Sequence, residues 1–388
     1  MNKTLIITIF SLALTLNLIA QEGEEAQKEK AGFFKRYINK IINNNTAQEE
    51  AEFFLYPTIG YKPETNIEFG FSPLYVYYAK EDTNNRLSEV NGYGFITLQK
   101  QYGARINHAL YSDQDKWFFL GDIDFQQFPL KYYGIGNDVP EKNIALVDAT
   151  QFIIKERILR RVFENFYIGL ETDFRSFENV KFEDPDGNPV EFELPFGSEG
   201  TTNLGIGSGV VFDERHNVLN ERNAFFTEVA YLNYSPFWKD KVEYQSITSD
   251  SRYFRTIGEN NVIAAQLLGE FNFAGAVPFS QLSFMGGQNM MRGYFKGRFR
   301  DKNQIAFQVE YRMLPLDLSF SNRLGATVFT SVGDVFDEWN ELSSKDLKFA
   351  AGVGVRFLLF QQKDVYLRFD YAITPDENGF YIGVGEAF

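Results

Sequence analysis

The 388-residue chain contains no cysteine, which excludes disulfides, thiolate metal sites and an acylated cysteine behind an export signal. It has two histidines. In the stretch ARINHALYS, His108 shares a face with Ala104, Ile106 and Leu110, a pattern that aims it outward, and His216 falls in a turn. Neither has a serine and an acid arranged around it as nucleophilic catalysis requires. No metal-ligand spacing and no glycine-rich phosphate loop is found, so no enzyme, metal or cofactor is expected. Long apolar runs are missing too: beyond residue 20 nothing approaches the roughly 20 consecutive apolar residues of a spanning helix. Positive charge is in the minority, with 38 Lys and Arg against 52 Asp and Glu and a formal net charge of -14. In an exported chain that balance argues against nucleic acid as a partner.

What is present begins with Asn2 and Lys3, a short apolar run from Leu5 to Ile19, and Ala20 before Gln21. A charged start, an apolar middle and a small residue before a polar one predict a cleavable signal over residues 1–20. Aromatic residues make up 17% of the chain, with 41 Phe and 21 Tyr, beside 23% charged residues and a mean hydropathy of -0.28. Strands that alternate lipid-facing aromatics with lumen-facing charge produce this mixture. The alternation is explicit in KDVYLRFDYAI, where Val365, Leu367, Phe369, Tyr371 and Ile373 oppose Tyr366, Arg368 and Asp370. In QIAFQVEYR, Ile305, Phe307, Val309 and Tyr311 oppose Gln304, Gln308, Glu310 and Arg312. A period of two excludes helix. A β-sandwich also alternates, but its strands are usually about 5 or 6 residues long, whereas membrane strands run to about 9 to 11.

The expected fold is therefore all-β: a transmembrane antiparallel barrel of about 16 strands over residues 51–388. The strands are placed at 52–60, 65–79, 88–101, 102–112, 115–128, 147–162, 164–178, 201–213, 223–235, 243–257, 259–273, 303–314, 323–333, 347–359, 364–373 and 379–388. With a periplasmic N terminus, the connections near 129–146, 179–200, 274–302 and 334–346 all fall outside. The short turns VFEN and GENN fall inside, the usual asymmetry of outer-membrane barrels. In GFYIGVGEAF, Phe380, Ile382, Val384 and Phe388 share one phase, a terminal strand with a terminal aromatic, which Glu386 interrupts. Pro57 removes a ladder donor from the first strand, and Gly383 and Gly385 thin the lumen face of the last.

One stretch runs against the overall charge. QNMMRGYFKGRFRDKN, residues 288–303, holds five Lys or Arg residues around Met291-Arg292-Gly293-Tyr294. That tetrapeptide resembles the Val/Ile-Arg-Gly-Phe/Tyr mark of the BamA/TamA-like outer-membrane assembly-factor superfamily, whose barrel is also called the bacterial surface antigen domain. The resemblance extends over about residues 53–388. PTIGYKPETNIEFGF is similar to the family's first hairpin, YYGIGND to a segment after its fifth strand, FDERHNVLNERNAFF to the turn before its ninth, and the final hairpin to its last. It implies a sixth loop folded back into the lumen, its arginine held by a carboxylate. The family's Phe-x-Asp-x-Gly strand is represented by Phe329, Ser331 and Gly333, with serine where the aspartate belongs. Glu310, inward on the twelfth strand, is then the expected partner of Arg292, with Asp334 nearby but out of phase. A solvated basic loop that binds lipopolysaccharide phosphate is the alternative.

The family normally carries periplasmic POTRA domains, and the stretch between Gln21 and the first strand implies a member without them. Residues 21–50 instead read as an acidic tether followed by an amphipathic helix. Phe33, Phe34, Tyr37, Ile38, Ile41 and Ile42 recur at helical spacing, suited to a membrane surface or the barrel rim; a marginal helix in a disordered tail is the alternative. The resemblance implies insertion or remodelling of outer-membrane proteins or lipids through a seam between first and last strands. Its partners would be outer-membrane lipid, lipopolysaccharide, nascent outer-membrane proteins or other assembly components. A porin-like passive channel and a structural role in a surface complex are the alternatives. The sequence names no client and no oligomeric state.

Overall fold

Alternation at a period of two places every second side chain on one face of a strand, and a sheet with one apolar and one polar face buries the polar one only by closing on itself. The computed structural model does this. It describes residues 51–388 except 99, 128, 217–219, 236–241, 317, 320 and 361–363. The expected signal, tether and amphipathic helix lie outside the described residues.

Sixteen long strands form the barrel: β1 (Glu52–Lys62), β2 (Asn66–Tyr78), β3 (Leu87–Thr97), β4 (Tyr102–Tyr111), β5 (Trp117–Gln127), β6 (Ala145–Phe163), β7 (Phe166–Glu183) and β8 (Thr201–Asp213), then β9 (Ala224–Ser235), β10 (Tyr244–Ile257), β11 (Asn261–Phe273), β12 (Asn303–Met313), β13 (Leu324–Phe336), β14 (Lys348–Phe360), β15 (Val365–Ile373) and β16 (Asn378–Val384). Each pairs antiparallel with the next, and β1 meets β16 to close the sheet. Every strand expected from the sequence is present, and closure rules out the two-sheet sandwich. A three-residue strand, Leu130–Tyr132, adds to the start of β6, and a small hairpin, Ser283–Met285 with Phe299–Asp301, lies within the β11–β12 connection.

The faces divide by polarity in the sense opposite to a soluble protein. Phe53, Ile59, Phe71, Leu170 and Val353 are each more than half exposed on the outer wall, while Glu171, Asp173, Glu310, Arg312, Arg356 and Asp370 are buried inside. Such an apolar exterior around a charged interior is what a lipid surround stabilises. At the end carrying the long connections the lumen is filled by Phe177, Phe182, Tyr234, Tyr244 and Phe279. Towards the other end Tyr111 stacks on Phe118 at 4.4 Å, and Phe118 meets Tyr167 edge-on at 5.5 Å. A polar cavity of about 270 Å³ lies along the β3–β10 wall, lined among others by Glu89, Asp122, Lys155, Arg157 and Arg252.

The chain's last residues correct the expected terminal strand. β16 ends at Val384. Gly385, at φ +83, donates its N–H to Tyr366 O at 2.8 Å, and the chain then turns into the lumen. Glu386 reaches Arg356 Nε at 2.9 Å and Arg312 Nε at 3.8 Å. The Phe388 ring lies 4.8 Å from the Arg312 guanidinium and 6.1 Å from the Phe254 ring. Phe388 therefore does not continue the outward phase of Phe380, Ile382 and Val384, and Gly385 is not part of the strand's inner face. The reason is electrostatic: buried Arg312 and Arg356 need a carboxylate more than the outer wall needs another ring. Gly383 does remain on the inner face, where an added Cβ would lie 3.5 Å from the Arg368 side chain.

Candidate functional site

The β11–β12 connection, residues 274–302, folds into the lumen. Its tip is a tight turn in which Tyr294 N–H donates to Met291 O at 3.3 Å and Gly287 N–H to Tyr294 O at 3.0 Å. Gly293 sits at φ +114, and a Cβ there would lie 2.6 Å from Thr374 Cγ2, so position and conformation both demand glycine. Met291 is fully buried against Met285, Phe299, Ala306 and Val335. Tyr294 donates its hydroxyl to Phe349 O at 3.2 Å, and Gly293 N–H donates to the Tyr381 hydroxyl at 3.0 Å.

This turn delivers Arg292 to the wall formed by β12 to β16. Its Nη2 donates to Glu310, and its Nη1 to Asp370 Oδ2 at 2.7 Å. The guanidinium lies 3.6 Å from the centre of the Phe329 ring, a cation–π contact strengthened by exclusion of water. Around this core Arg312 Nε donates to Glu310 at 2.7 Å, Arg356 Nη1 to Asp370 at 2.6 Å, and Arg368 Nε stands 3.6 Å from Asp370. With Glu386, three carboxylates face four arginines, all of them almost wholly buried. A guanidinium forked between two carboxylates is fixed in position and plane. The arrangement can hold a loop rigidly.

Sequence reasoning singled out Glu310 but not Asp370, which the structure brings to the same guanidinium. Asp370 was legible as inward-facing; its distance from residue 292 was not, because that depends on how β12 and β15 are spaced around the barrel. Ser331 lies on β13 opposite Gln308, and Gly333 opposite Ala306. Asp334 accepts Asn137 Nδ2 at 3.3 Å and is not a partner of Arg292.

The other cations of the stretch are largely buried too. Arg298 lies over Tyr133 and Phe299 at 4.7 and 4.5 Å and pairs with Glu377 at 3.1 Å. Arg300 is held between Tyr132 and Phe284 at 5.0 and 4.4 Å and donates to the carbonyls of Lys131 and Gly297, each at 3.1 Å. Gly136 N–H closes on Arg300 O at 2.8 Å, so the segment YYGIGND is a clasp over the loop. Burial, aided by Arg105 and Lys62 nearby, pulls the Lys296 ammonium down to about 8. Lys302, partly exposed, pairs with Asp337 at 2.5 Å.

The barrel's closure is uneven. β1 pairs with β2 at every position from Glu52 to Lys62, and β15 with β16 from Leu367 to Ile373. Between β1 and β16 the register consists of Tyr61 opposite Ile382, with the Tyr61 and Phe380 rings 5.7 Å apart. Pro57 lies in the same β1 strand, opposite Phe71 of β2.

Residues 197–388 match the Omp85 superfamily domain. Among solved structures, BamA from Haemophilus ducreyi lacking POTRA domains 1-3 is similar over 86% of this chain and 70% of that one, at 11% identity and a TM-score of 0.54. CdiB from Acinetobacter baumannii is similar over 87% of this chain and 60% of that one, at 12% identity and a TM-score of 0.52. At these identities the two structures speak to the barrel fold alone. No curated protein matches the chain by sequence.

Proposed function

We propose that this chain, which belongs to the Omp85 superfamily through its domain at residues 197–388, acts in the outer membrane to insert or remodel proteins or lipids at the seam between β1 and β16. The observation that carries this reading is the seam's single register position beside ladders of seven or more positions between every other pair of neighbouring barrel strands. A strand edge templates the pairing of another strand, and here one register position joins the two edges. The Arg292 network braces the wall next to that seam, since Asp370 lies on β15 and Tyr381 on β16. Lipid, lipopolysaccharide and nascent outer-membrane barrels are the partners that such an edge would meet.

A passive channel fits less well, because the folded-in loop and the ring cluster around Phe279 occupy the lumen at the long-loop end. Two measurements on the purified barrel separate the readings. In liposomes it should speed the folding of an unfolded outer-membrane barrel several-fold over empty vesicles, and in planar bilayers its conductance should stay near baseline. Steady open-channel current with no acceleration of folding would return the channel reading. For residues 31–43, lying outside the described residues, we propose a helix at the membrane surface. Its deletion should lower activity in liposomes and leave the barrel's thermal midpoint unchanged; full activity without it would leave the segment no role.

A further inference from the structure

On the outer wall, one ionisable pair interrupts an apolar surface. His108 Nε2 on β4 lies 3.2 Å from Glu156 Oε1 on β6, and the two meet across β5, where Gly121 is opposite both. A Cβ on Gly121 would fall 2.5 Å from Glu156 Oε2 and 2.6 Å from His108 Cε1, so the missing side chain is what lets the pair lie over the strand. The neighbouring outer positions are apolar in both directions: Ile106, Ile123 and Ile154 form the row to one side, Leu110, Phe119 and Ile158 the row to the other. Beyond the second row Trp117 is opposite Arg160, whose guanidinium lies 5.5 Å from the indole, the pairing of an interfacial girdle. Gly121 is four residues from Trp117, about 13 Å along the strand and about 10 Å in depth at a tilt near 40°. The pair therefore stands inside the apolar belt.

Ionisable groups at that depth are costly and mark sites with a partner. Each member uses one atom on the other, leaving the histidine Nδ1 and the second carboxylate oxygen to be satisfied by something that brings both a donor and an acceptor to the same depth. A second copy of this chain does so, because the patch carries acid and base together and is complementary to itself. A two-fold axis along the membrane normal near Gly121 sets His108 of each copy against Glu156 of the other, as an isologous contact requires. The adjoining wall permits close approach: Gly94 on β3 is opposite Ala104 on β4, with open space where its side chain would be. Small residues beside a polar pair are the features by which membrane segments associate.

We propose that the β4–β6 wall is the interface of a homodimer in the membrane, closed by the two His108–Glu156 pairs. The proposal rests on the outer-membrane reading above. In the full chain, which has no native cysteine, Ile123→Cys should give a crosslinked dimer with a short bis-maleimide in native membranes, and Val353→Cys on the opposite wall should not. In lipid nanodiscs, native mass spectrometry should show a dimer that His108→Leu or Glu156→Leu weakens about tenfold, the scale of a hydrogen-bonded contact in lipid. Exchanging the two residues, His108→Glu with Glu156→His, should restore it. A monomer at every lipid ratio, a dimer indifferent to both leucine variants, or crosslinks to another protein alone would overturn the proposal. Fractionation keeps the two readings apart: a monomer that still sediments with the outer membrane sinks only the dimer, while a chain found elsewhere sinks the membrane reading itself.

Discussion

Asparagine at position 370 should release the Arg292 loop. Asp370 receives Arg292 of the folded-in loop at 2.7 Å and Arg356 of β14 at 2.6 Å, with Arg368 at 3.6 Å, and all these side chains are almost wholly buried. Replacing the charge by an amide leaves four arginines facing Glu310 and Glu386 in a space with little water. Breaking one side of a buried ion pair costs about 3–5 kcal/mol, whereas removing both sides costs far less. Asp370→Asn is therefore expected to lower the heat-modifiability midpoint sharply and to open tryptic cleavage at Arg292, Lys296, Arg298 and Arg300. Arg292→Ala combined with Asp370→Asn should be less damaging than the sum of the single changes. Because the network is shielded, added salt should move neither result much. An Asp370→Asn barrel with an unchanged midpoint and a protected loop would show that the network does not brace it.

The same residues show how far the sequence could be followed. All sixteen strands were visible as a period of two, since the chemistry that separates an oily wall from a wet lumen acts on every second side chain and needs no knowledge of tertiary contacts. Glu310 was visible as inward, and its contact with Arg292 needed only the loop that immediately precedes β12. Asp370 was not assigned because its approach depends on three intervening ladders and their stagger. The inward turn at Gly385 was hidden for a related reason: Glu386 in an outward phase looked like a flaw in a terminal strand, and only the demand of Arg312 and Arg356 for a carboxylate explains it. The cages around Arg298 and Arg300 left no local trace, because Tyr132 and Tyr133 come from a connection more than a hundred residues earlier. His108 was aimed correctly by its neighbours, but its acid stands 48 positions away.

Locking the seam should abolish activity altogether. Tyr61 and Ile382 are opposite one another, and antiparallel partners stand about 4.5–5.5 Å apart at Cα, inside the range a disulfide spans. Cysteines at both positions, in a chain with none of its own, should therefore close the seam on oxidation and reopen it on reduction. At about 1 kcal/mol net for each hydrogen bond, a one-position register is held by a small fraction of what the β15–β16 ladder from Leu367 to Ile373 supplies. Thermal opening of the native seam is thus within reach, and a covalent bond of two-sulfur geometry removes it. Tyr371→Cys with Phe380→Cys, opposite each other in the continuous β15–β16 ladder, is the control that adds a disulfide without touching the seam. The expected result is loss of client folding in liposomes for the oxidised seam pair alone, recovered by reductant, with the control pair and both single variants active. If the locked seam folds clients at the native rate and supports unchanged growth, β1 and β16 are not a gate, and the short register is only the place where the barrel happens to close.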